Sequence, residues 1–511
     1  MEGISMQETA ESRGAVLKVL AAALGLAIIH QYLFYGNRYG LSIPLFTLLF
    51  YAYMLMFAKD RLRPLNAASA VLAACVLLLS LTFGLFANEF FYMLNQAAAP
   101  VLIVLHLTYI LSDSRPDWGR PAALSSSALN HLIPQNIRQL ASLAHWFKRK
   151  ERREGANAPV LSRVLLGLAL SVPLLAVVLV LLSSADGVFH AVLTHIPDVL
   201  ARISLGEGIA RTLWVLLLGV FFFGYLRGFV HPYRETEVVP LEKTEPEYRD
   251  TLPDFRIDSV VAVTVLTAVN TVYVLFVSVQ FSYLFGAWQG LLPTGDTYAE
   301  YARRGFFELV LVSGINFVLL LGILLLGMKG SDRLNRAVRI LLYVLTVCSG
   351  AMLVSAYVRL AMYEEAYGYT TIRFLVHGFM IFLGALLAAA ALRIAIPRFP
   401  LVKCYLVLGM TAYLIMNYIR MDAVIASNNI ARYEASGKLD TDYLLSLSDE
   451  AIPLLVDFSA KHNGMLDSGL QGIWQNGRQQ KQEWTALNWS RYRAEAKLDD
   501  YFGGRESVSS R

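Results

Sequence analysis

Residues 66–86 read NAASAVLAACVLLLSLTFGLF, an unbroken apolar run without a single Asp, Glu, Lys or Arg. A helix that crosses the hydrocarbon core of a bilayer needs roughly 20 such residues. Leu, Ala, Val and Phe follow one another here without the period-two alternation of a barrel strand, so the run predicts a membrane-spanning α-helix. Working outward, the same reading holds for 15–35, 39–58, 91–112, 160–183, 209–229, 258–284, 304–328, 335–360, 372–394 and 401–420, which makes eleven spans. Composition agrees. Of 511 residues 56% are apolar and 16% charged, where a soluble protein carries about 25% charged residues. A single soluble globule, a disordered chain, a collagen and a secreted disulfide scaffold are excluded. The fold class expected is all-α, a polytopic transmembrane helix bundle with a small helical C-terminal tail.

Lys and Arg in short loops orient such a bundle. Lys59, Arg61 and Arg63, then Arg115 through Arg153, then Arg234 through Arg256, then Lys329 with Arg333, Arg336 and Arg339, and finally Arg393, Arg398 and Lys403 fall on one side. The alternate loops hold few: Arg38, Arg202, Arg303 and Arg304, with Arg359 and Arg373 at span ends. The bias predicts a cytoplasmic N-terminus, an extracytoplasmic tail and a multi-pass protein of a bacterial plasma membrane. The first apolar run is long enough to span and lacks a small-residue cleavage site, so it reads as a retained anchor. Cys75, Cys348 and Cys404 all sit in or beside spans and read as small core hydrophobes.

The chain then divides into four N-terminal spans (1–112), a basic inner loop (113–159), a seven-span core (160–420) and the exported tail (421–511). In the inner loop, Ile137, Leu140, Ala144 and Phe147 share one helical face, and Lys148, Arg149, Lys150, Arg152 and Arg153 follow at once. An apolar face with a basic cluster suits an interfacial helix on anionic lipid. A topology signal or a solvated charge run reads equally well. The cluster is short and has no recognition fold around it, so no nucleic acid is expected. Four prolines in 230–257 suggest an extended linker. In the tail, a helix from Ala423 continues the last span until Gly437 ends it. Ser448-Asp449-Glu450 opens a further helix with acids at its positive end, and 470–500 forms one long polar helix. The tail holds few large apolar side chains and is expected to pack on the spans.

No phosphate loop, zinc-protease motif, nucleophile elbow or dinucleotide fingerprint is present. No catalytic residue, metal site or cofactor is therefore expected. Intramembrane charge is informative instead, because it is expensive in lipid and usually faces a bundle interior. Glu308, Arg359, Arg373 and His377, with Asn417, Arg420 and Asp422, all fall at the outer ends of the last four spans. Asp296, Glu300, Arg304 and Glu308 recur every four residues. Either these groups pair to fix helix ends and dock the tail, or they line a hydrated site. Glu300, Arg304, Glu308, Arg359, Arg373 and His377 are the candidate ligand-binding residues. A transport-like or ligand-responsive protein is the leading expectation. A scaffold or signalling partner that binds another protein is the second. A cell-envelope enzyme using Glu308 or His377 ranks third, since no nucleophile or metal set accompanies them. Asn95, Gln96, Asn270, Gln280 and Asn316 read as polar glue between helices.

Several motifs carry a resemblance: Ser184-Ala185-Asp186, residues 280–286 (QFSYLFG), 297–308 (TYAEYARRGFFE), 363–368 (YEEAYG) with Arg373, 429–433 (NIARY) with Gly437-Lys438-Leu439-Asp440, and 484–494 (WTALNWSRYRA). Over roughly residues 160–495 the chain resembles an uncharacterised bacterial family of multi-spanning membrane proteins, domain of unknown function 4173, related to 4153. The resemblance implies a helical membrane fold. It implies no activity, substrate or catalytic residue.

Overall fold

A computed structural model describes residues 13–140, 205–233, 257–288, 306–326, 328–479 and 483–503. Among these, eight helices are long and apolar enough to cross a membrane, and two shorter apolar helices accompany them. They correspond to ten of the eleven expected spans. The remaining one, 160–183, lies outside the described residues, as do the basic cluster 148–153 and most of the proline-rich linker. The chain is an all-α polytopic membrane protein. It divides into two compact units. One comprises residues 1–85, 93–238 and 482–488; the other comprises 86–92, 239–481 and 489–511.

The first unit holds α1 (Arg13–Phe34), α2 (Ser42–Phe57), α3 (Ala67–Leu85), most of α4 (Glu89–Leu111), α5 (Pro121–Asn130) and α6 (Leu205–Val230). α1 packs along α6, and α2 packs against both α1 and α3. Asn95 donates to Thr82 Oγ1 at 3.0 Å, joining α4 to α3. At one end, Arg61 holds Asp113 at 2.5 Å and the Val230 carbonyl at 2.7 Å. Residues 483–488 belong to this unit as well: Asn488 donates to the Phe83 carbonyl at 2.9 Å and Leu41 N–H to the Leu487 carbonyl at 3.1 Å.

The second unit holds α7 (Ser259–Trp288), α8 (Phe306–Leu326), α9 (Asp332–Tyr367), α10 (Thr371–Ala395) and α11 (Leu401–Tyr418). A two-residue parallel pairing, β1 (Ile257–Asp258) on β2 (Met328–Lys329), ties the approaches to α7 and α9. α9 is central and touches α7, α8 and α10. Its core against α7 and α8 is aliphatic: Leu266, Leu320, Val338, Leu342 and Leu345 are buried together. The polar glue is made as expected for Asn270, which donates to the Leu341 carbonyl at 2.8 Å, and for Asn316, which donates to Ser349 Oγ at 2.8 Å.

The tail follows without a linker. α11 ends at Tyr418, and Arg420 adopts the left-handed conformation (φ 56°) before α12 (Met421–Ser436) begins. The last span and the tail helix are thus two helices with a sharp break rather than one. Gly437, at φ 69°, ends α12 as the sequence predicts. α13 (Thr441–Leu445), α14 (Ile452–Lys461), α15 (Asp467–Gln479) and α16 (Trp489–Leu498) complete it. The long helix expected over 470–500 is two helices, α15 and α16, with Trp484–Ala486 as a 3₁₀ turn between them. The tail also builds a core of its own from Leu444, Leu455, Phe458, Leu470, Trp474, Leu498 and Phe502. Small side chains at Ala426 and Ala494 let these few large ones close up.

Candidate functional site at the turn between α9 and α10

α9 runs for 36 residues. Its last turns leave backbone carbonyls without helical partners, and polar groups must satisfy them wherever they are covered. Arg432 of α12 does so, donating to the Glu365 carbonyl at 2.9 Å and the Ala366 carbonyl at 2.7 Å. A cation there also meets the negative end of the helix dipole. Gly368 then turns the chain at φ 89°, with its N–H on the Glu364 carbonyl at 2.7 Å. A side chain at this position would need a conformation that L-residues rarely adopt, and its Cβ would stand 2.8 Å from Asn429 Oδ1. Asn429 grips the next residue from both sides. It accepts from Tyr369 N–H at 2.9 Å and donates to the Tyr369 carbonyl at 2.8 Å. Tyr443 of α13 accepts from Thr371 N–H at 2.8 Å, at the first residue of α10. Asn429 and Asp422, seven residues apart on α12, are both buried.

Two of the six candidate residues, Arg373 and His377, stand at this turn. Arg373 donates to the Gly368 carbonyl and lays its guanidinium over the Tyr363 ring, 4.4 Å from the centroid. One turn further along α10, His377 Nδ1 meets Glu364 Oε2 at 3.0 Å. Glu364 is buried, and the Tyr357 ring lies 4.5 Å from the His377 ring. His377 Nε2 is buried and has no hydrogen-bond partner among the described residues. Arg359 is buried on α9, one turn before Tyr363. Glu300 and Arg304 lie outside the described residues, and so does the side chain of Glu308 in the first turn of α8. Glu364 is the member of this cluster that is absent from the candidates read from the sequence. Its place within the last turn of α9, thirteen residues before His377, was the available signal.

Residues 73–458 match a protein family described as a domain of unknown function, DUF4153. The chain belongs to that family. The match begins within α3 and ends within α14, so it takes in α3 and α4 as well as the helices after them. No curated protein and no solved structure matches the chain.

A second polar centre of this DUF4153 chain lies where the tail meets residues 86–92. Asn88 caps the first turn of α4, accepting from Phe91 N–H at 3.1 Å, and donates to Asp422 Oδ2 at 2.9 Å. Ser448 N–H reaches the same oxygen at 3.2 Å. Glu450 accepts from Ala87 N–H at 3.1 Å, while Arg420 donates to the Glu450 backbone carbonyl at 3.4 Å. Two carboxylates therefore stand at the positive end of α4. Glu450 is only 1% exposed. Burial, helped by the Asp422 charge, pushes its carboxyl up to about 7, against the pull of the Ala87 N–H and of Arg420. Glu450 does not serve the start of α14, as the sequence suggests. It faces away, and its neighbour Asp449 pairs with Arg491 at 3.2 Å.

Proposed function

We propose that this chain is a ligand-responsive, transport-like protein of the plasma membrane, with its N-terminus in the cytoplasm and its tail outside. Its working surface is the polar cluster at the outer end of α9 and α10. One observation carries this reading: the pair of buried Glu364 with half-buried His377, 3.0 Å apart, leaves the buried His377 Nε2 unpartnered among the described residues. Buried polar groups are normally satisfied, and a histidine nitrogen left open beside an arginine suits a small polar ligand that supplies the missing partner. The tail supports the same surface, since Asn429, Arg432 and Tyr443 all hold the connecting turn. A ligand that shifts this turn shifts the tail with it. The test is thermal unfolding of the full-length protein in detergent against amino acids, small carboxylates and inorganic phosphate. A member of that panel is expected to raise the melting temperature of the wild type and leave a folded His377→Phe variant unchanged. Equal shifts in both proteins, or none in either, overturn the reading.

A second reading, a scaffold that binds another protein, is favoured by one feature of the tail. Trp489 and Tyr492 stack on each other 5.7 Å apart at the start of α16, and both are more than half exposed. Exposed aromatic pairs suit a protein contact. Replacing both by Ala is then expected to abolish co-purification of a partner without lowering the melting temperature. Retention of the same partner by that variant counts against it.

A further inference from the structure

Between α4 and the basic cluster, residues 129–140 have their polarity reversed, whereas α5 before them buries Leu124 and Ala128 in the ordinary way. Beyond α5 the helix continues through a π-type turn (His131–Gln135) to residue 140. On its buried side stand His131, Gln135, Asn136 and Gln139. On its outer side stand Leu129, Ile133 and Ile137, which are 56%, 51% and 60% exposed. They are four residues apart and form one stripe. A helix lying on a protein in water turns its apolar stripe inward. Here the polar stripe faces the protein and the apolar stripe faces out, which is the arrangement expected where the surrounding medium is hydrocarbon.

The polar side is well used. Gln139 donates to the His231 carbonyl at 2.6 Å, and Gln135 both donates to the Tyr233 carbonyl (3.0 Å) and accepts from Tyr233 N–H (2.9 Å). Asn136 donates to the Phe221 carbonyl at 3.2 Å, and the His131 ring stacks on Phe229 at 4.2 Å. Two glycines of α6, one turn apart, make the approach close. A Cβ at Gly224 would run into the Asn136 side chain, and one at Gly228 would stand 3.2 Å from Gln135 Cβ. This is the small-residue spacing by which helices meet inside membranes. Gly224 and Gly228 lie six and two residues before the end of α6, so the crossing sits roughly 3–9 Å inside that helix end. Arg138 is exposed beside the stripe with its guanidinium 4.7 Å from the Tyr233 ring, and Lys148 through Arg153 follow in sequence.

We propose that residues 129–140 are immersed in the lipid leaflet on the side of the basic loops, with Leu129, Ile133 and Ile137 against acyl chains and Arg138 at the headgroup phosphates. The proposal is independent of the outer polar cluster. It makes this connection a lipid-contacting element of the bundle instead of a loop in water.

Site-directed spin labelling tests this on the full chain, reconstituted in vesicles of phosphatidylcholine and phosphatidylglycerol. Cys75, Cys348 and Cys404 are replaced by Ala, and single cysteines are placed at Leu129, Ile133 or Ile137. Val347, exposed on the flank of α9, serves as the lipid reference and Asn476, exposed in the tail, as the water reference. At all three positions the nitroxide is expected to collide with oxygen as at Val347, and several-fold less with a water-soluble nickel chelate than at Asn476. Collision with the chelate as at Asn476 overturns the proposal. So does exclusion of both reagents, which would mean that a protein surface covers the stripe. Three independent positions keep the test decisive if one variant fails to fold.

Discussion

Replacing Glu450 by Gln gives a sharp test of the second polar centre. The carboxyl is buried, and its folded value stands near 7 against an ordinary value of 4.5. The folded protein therefore holds a proton here that the unfolded chain releases. Below about pH 4.5 both states are protonated and the group imposes no penalty. As pH rises from about 4.5 to about 7 the unfolded state ionises first, and stability falls. Above about 7 both states are ionised and the loss levels off at roughly 3 kcal/mol. Gln keeps an oxygen that can accept from Ala87 N–H, and it replaces the other oxygen with a donor near the Asp422 charge. The variant is expected to match the wild type within about 1 kcal/mol near pH 5 and to be more stable by up to about 3 kcal/mol near pH 8. For a unit of this size each kcal/mol moves the melting temperature by about 2–4 °C. Thermal unfolding in detergent, followed by the fluorescence of buried Trp474, reads both values. Parallel pH profiles for the two proteins would refute the reasoning, as would a Gln variant that is less stable near pH 8. Asp449→Asn is the control: its pair with Arg491 is partly exposed, and its loss should shift stability by less than about 1 kcal/mol at any pH.

Other consequences are open to the same measurement. Gly368→Ala combines a disfavoured φ with a clash against Asn429, so it should cost about 2–3 kcal/mol, whereas Gly437→Ala, with open space around it, should cost only about 1 kcal/mol; equal losses would sink the comparison. Asn429→Ala leaves the Tyr369 N–H and carbonyl without their side-chain partner, and a loss of roughly 2–3 kcal/mol is expected, read as faster proteolysis of the tail. Arg432→Met removes the donor to the exposed Glu365 and Ala366 carbonyls at the end of α9 and should lower stability by only about 0.5–1 kcal/mol, with little dependence on pH between about 5 and 9. Asn316→Val breaks the bond to Ser349 inside the bundle, where such bonds contribute about 0.6–1.7 kcal/mol, so a melting temperature unchanged within error would argue against it.

The spans were legible because lipid imposes one strong rule, a run of about 20 apolar residues, and the chain obeys it. Asn95, Asn270 and Asn316 could be read as interhelical glue for the same reason: a lone amide in such a run needs a partner. What could not be read depends on residues far apart in the chain. Glu450 looks like a helix-opening acid until Ala87, 363 residues away, takes its carboxylate. The break at Arg420 has no local signal, since neither Gly nor Pro marks it. The stripe through Ile133 and Ile137 is visible in sequence, but which of its sides faces the protein is decided by Gly224 and Gly228 in a distant helix. Residues 470–500 carry helical composition throughout, and the interruption at 484–488 goes with bonds to residues far away in sequence, Asn488 to Phe83 and Leu41 to Leu487.

α9 has one more consequence. At 1.5 Å per residue its 36 residues measure about 54 Å, well beyond the roughly 30 Å of hydrocarbon. Ser331 caps one tip, and Arg432 with Asn429 clasps the other. A continuous helix of this length has the geometry of a lever. Pivoting by only about 5° about its midpoint would carry each tip through some ~2 Å in opposite directions. A displacement at the Arg432–Asn429 end would then be matched by an opposite one at the Ser331–Asn335 end.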